Sequence, residues 1–474
     1  MGLRSRNRIP VVTLSGIWSG SDSGSRTPES TWSKRRGELV RIACVTDTFL
    51  PEVNGVVTSI DAHTRILASR GHEIFIICPK YGQYVDTPPD GISVRRYSSF
   101  SFASNKATRV ALPSVMSMTR QLAKFDPDVV HIHTPLSIGV IGLLASRALR
   151  VPNVQTYHTY IPDFMQYVEL SRLLRIDDLQ DRIANSMVFE RAIESGAWQR
   201  IVKSRALIEE RADEVLEVLL GVTDEVVEDR PELTARVAWR FTRMLYNRAN
   251  QVVTPSLTLK RELMRHGVTA PVNHISNGID LDLVTRKESY APTGRILHAG
   301  RLGAEKNVDV VIKAFARVAA DLPGADLDIA GDGPARKSLE HLVEKLGLTS
   351  RVHFLGFMDR SRLASVYRDY DCFVTASTIE TQGIVLLEAM AAGLPVVGVR
   401  ALAIPEIART GRNGIIVPPF DEQAMARALE RMLAEQPLRE RFGRASIEDV
   451  QAHALERVVN DVERLYMLTA AEGV

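Results

Sequence analysis

Cysteine is scarce in this 474-residue chain, with Cys44, Cys78 and Cys372 its only three. Each sits in or beside an apolar run that reads as a buried strand, and none forms a Cys-x-x-Cys pair. The spacing therefore suggests neither a zinc site nor a disulfide framework. Three reduced core thiols fit a chain kept in a reducing compartment. An excess of one charge sign is missing too. The formal net charge is +2, so no whole-chain field points to nucleic acid or membrane. Long apolar runs are also absent, because none reaches the ~18 uninterrupted residues of a membrane span. The best, 136–149, is shorter and holds Arg147. The first residues are basic but lack the apolar stretch of a signal peptide. The expectation is a cytoplasmic protein that binds no nucleic acid and touches the inner face of the cell membrane peripherally, if at all.

What is present is an ordinary globular composition, 45% hydrophobic and 24% charged. At ~150 residues per domain, two or three domains are expected. Residues 1–37 are rich in Ser, Gly and Arg, show neither helical nor strand period, and read as a disordered tail. The segment LVRIACVTDTF then reads as a buried parallel strand. A helical pattern over 58–70, the strand EIFIICP, and the runs DVVHIH and VPNVQ follow. Residues 171–250 are long, charged and helix-favouring, and read as a helical insertion with a solvated face. A second series opens with NQVVTPS and runs through GRILHAGR, ADLDIAGDGP, RVHFLGF, DCFVTAS and LPVVGV. An amphipathic helix over 446–469 closes the chain. Strands alternating with helices, twice over, predict an α/β protein of two Rossmann-like domains, 38–252 and 253–445, with 446–474 as a terminal helix.

Open α/β sheets bind ligands at the carboxyl ends of their strands, so the residues after each strand are the candidates. In HAGRLGAEKN, Arg301 follows a strand and Lys306 lies five residues on. Two converging cations suit a diphosphate, although a surface Arg and Lys would read the same way. In ASTIETQGIVLLEAMAAGLPVV, Glu380 precedes a helix that starts near Gln382 and ends at Gly393. A helix N-terminus offers free N–H groups to a phosphate, and Glu380 beside it can accept hydrogen bonds from sugar hydroxyls. Glu388 lies two turns on in an apolar helix, where a lone acid is costly without a partner. Gly55 precedes another helix and allows close backbone approach. Tyr157-His158-Thr159 follows a third strand, where a single His is structural as often as catalytic. Asp326-Leu-Asp328 mimics a metal-binding Asp-x-Asp but opens a strand instead of following one. Gly331-Asp-Gly333-Pro334 lacks the spacing of a dinucleotide fingerprint.

Together, TDTFLPEVNGVVTSI, DVVHIHTP, TYHTY, VTPS, SNGID, HAGRLGAEKN, GDGP, FLGF and ETQGIVLLEAMAAGLPVV resemble the retaining glycosyltransferases of family 4. They run in order from about residue 41 to residue 420. The resemblance implies the GT-B fold, two Rossmann-like domains facing a cleft. The first would hold the acceptor and the second the nucleotide sugar, with the terminal helix packing back on the first. It implies Arg301 and Lys306 on the diphosphate, Glu380 on the transferred sugar and Glu388 on the ribose. Gly55 would cap the phosphates and His158 would contact the sugar ring, with Gln382, Gly383 and Ile384 also at the donor. It implies no metal and no cofactor beyond the nucleotide sugar. The form Glu380-Thr381-Gln382-Gly383, in place of Glu-x-Phe-Gly, looks like the diacylglycerol glucosyltransferases.

The expected reaction is transfer of glucose from UDP-glucose to a lipid such as diacylglycerol. A GDP-mannose-dependent mannosyltransferase is the alternative, ahead of a retaining glycoside hydrolase or a non-catalytic nucleotide-sugar-binding protein. The candidate membrane surface is 106–124, where Lys106, Arg109, Arg120 and Lys124 alternate with apolar residues at helical spacing. An ordinary helix packed on the sheet would show the same pattern.

Overall fold

The computed structural model describes residues 39–101, 109–161 and 231–472. The predicted tail, Lys106 and most of the predicted insertion lie outside them. Within the described part of that insertion, Pro231–Tyr246 is a helix.

Among the described residues, fifteen strands form two large parallel sheets and one small ribbon. The first sheet holds β1 (Arg41–Val45), β2 (Glu73–Pro79), β3 (Ile92–Tyr97), β6 (Val129–Ile132), β7 (Asn153–Thr156), β8 (Gln251–Thr254) and β9 (Val272–His274) in the order β3-β2-β1-β6-β7-β8-β9. The second holds β10 (Arg295–Ala299), β11 (Asp326–Ala330), β12 (Val352–Gly356), β13 (Cys372–Val374), β14 (Val396–Val399) and β15 (Gly414–Val417) in the order β12-β11-β10-β13-β14-β15. The ribbon pairs β4 (Phe100–Ser101) with β5 (Arg109–Val110). Parallel strands covered on both faces must be apolar throughout, which explains RIACV and EIFIICP. Strand order reverses between β1 and β6 and between β10 and β13, and such reversals open a crevice at the strand ends.

Several local readings need correction. The predicted boundary at 252/253 falls inside the first sheet, because NQVVTPS supplies β8 and both β8 and β9 pair there, carrying the first domain at least to His274. The Gly55–Ser69 helix starts three residues before the predicted 58, because Asn54 caps it by accepting the Val57 N–H at 3.0 Å. The Ile384–Ala391 helix starts two residues later than Gln382. Gly383 precedes it with φ +80, where an added Cβ would stand 2.8 Å from Leu386. The pattern read as one helix over 446–469 is two. Gln436–Val450 ends in a 3-10 turn, Gln451–His453, and a new helix spans Leu455–Glu472. At the break, Ile279 N–H donates to His453 O and Leu455 N–H to Ile279 O, both at 2.9 Å. Those bonds replace the helical ones where the chain crosses back to the first sheet.

The last helix then joins the first domain's core. Val458, Val459, Val462 and Leu465 pack with Ile60, Leu67 and Cys44. His72 Nε2 meets Glu463 at 2.7 Å, and Arg70 reaches both Glu456 and Glu463.

The segment 109–124 is not one helix. Arg109 and Val110 form β5, Pro113 and Ser114 interrupt, and Ser114 caps a helix over Val115–Phe125. Met118 and Leu122 are buried in the sheet's core, so its apolar face is occupied. Met116 alone of the helix's large apolar residues is strongly exposed.

Candidate active site

After β10 the chain runs through Gly300 and Arg301 into a 3-10 turn, Ala304–Lys306. The neighbouring loop after β11 presses against it. A Cβ at Gly331 would fall 1.9 Å from Gly300 O, and one at Gly333 would fall 2.4 Å from Leu302 O. The glycines of Gly331-Asp-Gly333-Pro334 thus serve loop-on-loop packing. Asn307, with φ +50, donates to Ala376 O at 3.1 Å and fastens the turn to the end of β13. There Lys306 Nζ meets Glu380 Oε1 at 2.6 Å. The Glu380 side chain is only 14% exposed. Burial pushes its carboxyl up, but the Lys306 ammonium outweighs burial and holds it below the usual range. Arg301 is not drawn into this pair. Its side chain is 59% exposed and reaches only Glu305, at 4.0 Å.

Glu388 is buried, and its partners are now visible. Arg360 Nε donates to it at 2.9 Å and Tyr367 OH at 3.3 Å. Burial nevertheless raises its carboxyl above the usual range. Gln382 is buried, with its side chain bonded to Ser276 and Asn277. Asp326 and Asp328 are committed to structural pairs. Arg351 holds the first at 3.0 Å, while Arg295 and Tyr370 OH hold the second.

The two domains meet at helix starts. A methyl group at Gly55 would stand 3.3 Å from Ile384 Cδ1. The Gly55–Ser69 and Ile384–Ala391 helices therefore bring their N-termini, with unpaired N–H groups and partial positive charge, to one place.

Further along the Gly55–Ser69 helix, beside Ser59 and His63, lies a cavity of about 20 Å³, room for one water. His63, His131, His133 and His158 line it, with Tyr466 from the last helix. His131 Nδ1 meets Tyr466 OH at 2.5 Å, and its Nε2 meets Thr156 Oγ1 at 2.6 Å. The His131 and His133 rings lie 3.8 Å apart, and His133 Nδ1 is 3.4 Å from His158 Nε2. Burial lowers His158 to about 3 and His63 to about 4, and holds His131 and His133 well below their ordinary value. His158 is therefore a neutral imidazole at pH 7.

Sequence reasoning singled out only His158 of this group. DVVHIHTP had placed His131 and His133 on a strand, but nothing local pairs them with His63 or Tyr466. Asp47 was passed over as well. It accepts bonds from Thr134, Ser137 and the N–H groups of Leu136, Ile138 and Gly139, so it caps the Ser137–Leu149 helix.

The model for Glycosyltransferase Family 4 matches residues 53–194 and 222–283, and that for Glycosyl transferases group 1 matches 286–449. The chain is 26% identical to the alpha-monoglucosyldiacylglycerol synthase of Streptococcus pneumoniae over 375 residues, 76% of this chain and 70% of that one. It is 28% identical to the GDP-mannose-dependent alpha-mannosyltransferase of Mycobacterium tuberculosis, over 80% and 84% of the two chains. Among solved structures, sucrose-phosphate synthase from Thermosynechococcus elongatus superposes with a TM-score of 0.65 at 18% identity, covering 90% of this chain and 98% of that one. Anabaena HepE, in complex with UDP and glucose, gives 0.62 at 18%, over 90% and 99%.

Proposed function

Since the chain belongs to the GT-B glycosyltransferases of family 4, we propose that it moves a hexose, glucose from UDP-glucose, onto a lipid hydroxyl such as that of diacylglycerol. The observation that carries this reading is the meeting of two helix N-termini, at Gly55 and Ile384, beside the Lys306–Glu380 pair. Such a place suits a group with two negative phosphates and a sugar attached to them. A plain glycoside gives those cations nothing to hold, which weighs against a hydrolase.

In this reading the sugar C1–oxygen bond to the β-phosphate breaks and negative charge builds on the departing diphosphate. Lys306 and the helix N-termini stand where that charge appears, and the exposed Arg301 arm closes on it when the donor binds, an electrostatic stabilisation of the transition state. The bond from the acceptor oxygen to C1 forms on the same face, and the acceptor's proton passes to the leaving phosphate oxygen. Glu380 holds the sugar hydroxyls. His158 contacts the ring, and it does so as a neutral imidazole, because burial holds it to about pKa 3. The lipid acceptor is supported by the S. pneumoniae relative. The M. tuberculosis relative supports GDP-mannose as the alternative donor.

The deciding experiment is incubation with labelled UDP- and GDP-sugars and a lipid extract, followed by mass analysis. Lipid-linked glucose from UDP-glucose is expected. Mannose transfer from GDP-mannose would replace the donor, and a soluble product alone would replace the acceptor.

Two predictions arise here. Glu388→Gln removes the carboxylate proposed for the ribose diol. Donor KM is expected to rise about ten- to a hundredfold, the scale of a hydrogen bond to a charged group, with kcat little changed. Calorimetry showing unaltered UDP affinity in the variant would end that assignment. Activity is also expected to survive EDTA, because Asp326 and Asp328 are already engaged by Arg351, Arg295 and Tyr370. Loss on chelation, restored by Mn²⁺, would mean a metal takes part.

A further inference from the structure

Gln382 lies two residues beyond Glu380 and directly before Gly383, yet the residue is only 1% exposed. It points toward the two places where the chain passes between domains. Its Oε1 accepts the Asn277 N–H at 2.9 Å, and its Nε2 donates to Ser276 Oγ at 2.6 Å. Ser276 Oγ also accepts the Gly278 N–H at 3.1 Å. With both lone pairs used, its own proton goes to His453 Nδ1, 2.9 Å away in the returning crossover. Asn277 O in turn accepts from His63 Nε2 at 2.8 Å, and His63 lines the His158 cavity. The linker and the crossover are themselves joined through Ile279 and Ala454.

We propose that Gln382 is a positioning residue that ties the 380–383 loop to both interdomain crossings, so that seating the nucleotide sugar and closing the domains are coupled. The inference rests on the reading of 380–383 as the donor loop. Ser276, Asn277 and Gln382 are all buried, so water cannot replace a lost bond at low cost. The knot is fully satisfied only while the loop and the linker keep this register, and a rotation of one domain against the other must move the loop or break it. An apolar residue of the same length would fill the space and leave the Asn277 N–H and a Ser276 lone pair without partners. The loop would then keep its backbone but lose its registration against the first domain. Because the Gln382 side chain bonds to Ser276 and the Asn277 N–H, and because UDP lacks the sugar that Glu380 is proposed to hold, its loss should act on turnover and leave UDP affinity little changed.

The test uses Gln382→Met, Ser276→Ala and the double variant in the full chain. Amide hydrogen exchange over 275–280 and 453–455 is read with and without UDP, beside kcat and UDP affinity. Without nucleotide, the Asn277 amide should exchange about tenfold faster in Gln382→Met, the loss of one or two neutral hydrogen bonds. The kcat should fall about tenfold, UDP affinity should stay within about twofold, and the double variant should be no worse than the worse single. Ser276→Ala removes a smaller group and gives the same pattern if Gln382→Met folds poorly. Unchanged exchange at Asn277, faster exchange without a fall in kcat, a parallel loss of UDP affinity, or additive losses would each overturn the proposal. Failure of UDP to bind the unaltered protein would overturn the donor reading instead, while the nucleotide-free exchange still tests the tie.

Discussion

Lys306→Met is expected to lower kcat/KM by about 30- to 1,000-fold, corresponding to about 2–4 kcal/mol of transition-state stabilisation. Two losses combine in that figure. The fixed ammonium beside the proposed diphosphate is gone, and Glu380 is left as a largely buried carboxylate without its cation 2.6 Å away. Glu380→Ala separates the two. It frees Lys306 for the phosphate but removes the proposed sugar acceptor, so kcat should fall far more than UDP affinity. Because the pair is in direct contact, the double variant should lose less than the sum of the singles. Arg301→Ala should cost a similar amount if its exposed arm closes on the donor, and near-unaltered kcat/KM would remove it from the clamp. Steady-state kinetics with calorimetric UDP binding decide all three. A Glu380→Ala enzyme losing rate and UDP affinity equally would sink the sugar role.

Acid is expected to unfold the protein well above pH 4. Burial lowers His63, His298 and His453 to about 4 and His158 to about 3, and holds His131 and His133 well below their ordinary value. A base whose folded pKa lies below its unfolded ~6.5 has no effect above that pH, where both states are neutral. Below it the unfolded chain takes up protons that the folded one refuses, and stability falls until the folded pKa is reached. At pH 5 each such histidine costs about 2 kcal/mol, against a total stability on the order of 5–15 kcal/mol. Several together bring the midpoint near pH 5. Glu380 and Glu463, held down by Lys306 and by His72 with Arg70 against the opposing effect of burial, add loss below about their unfolded ~4.5. Asp47 and Glu388, raised by burial, act in the other direction. Thermal melts from pH 7.5 to 4 measure this. His63→Gln keeps a donor for Asn277 O and should make the fall shallower by about one proton. A melting temperature flat to pH 5 would show that these histidines are not buried in solution.

The positions of Lys306, Glu380, Gly55 and His158 were legible because each follows a strand or opens a helix, and Glu388 because a lone acid in an apolar helix needs a partner. Strand ends can be found from apolar runs alone. Boundaries were less legible. The break at Gln451–His453 depends on backbone bonds to Ile279, 174 positions away from His453 in sequence. In 109–124 the apolar spacing suits any helix, and nothing in that spacing marks the Pro113–Ser114 interruption as decisive; the helix over Val115–Phe125 packs on the sheet.

The sequence by itself determined the two-sheet α/β architecture, the order of its strands along the chain and the strand-end residues of the site. Periodicity and turn chemistry are local, and the chain states them locally. Only the tertiary structure decided which of these residues meet. It paired Lys306 with Glu380, supplied Arg360 and Tyr367 to Glu388, gathered four histidines and Tyr466 around one cavity, and turned Gln382 toward the hinge. Contacts between segments tens to hundreds of residues apart depend on how two sheets and a returning helix pack, and no local pattern encodes that packing.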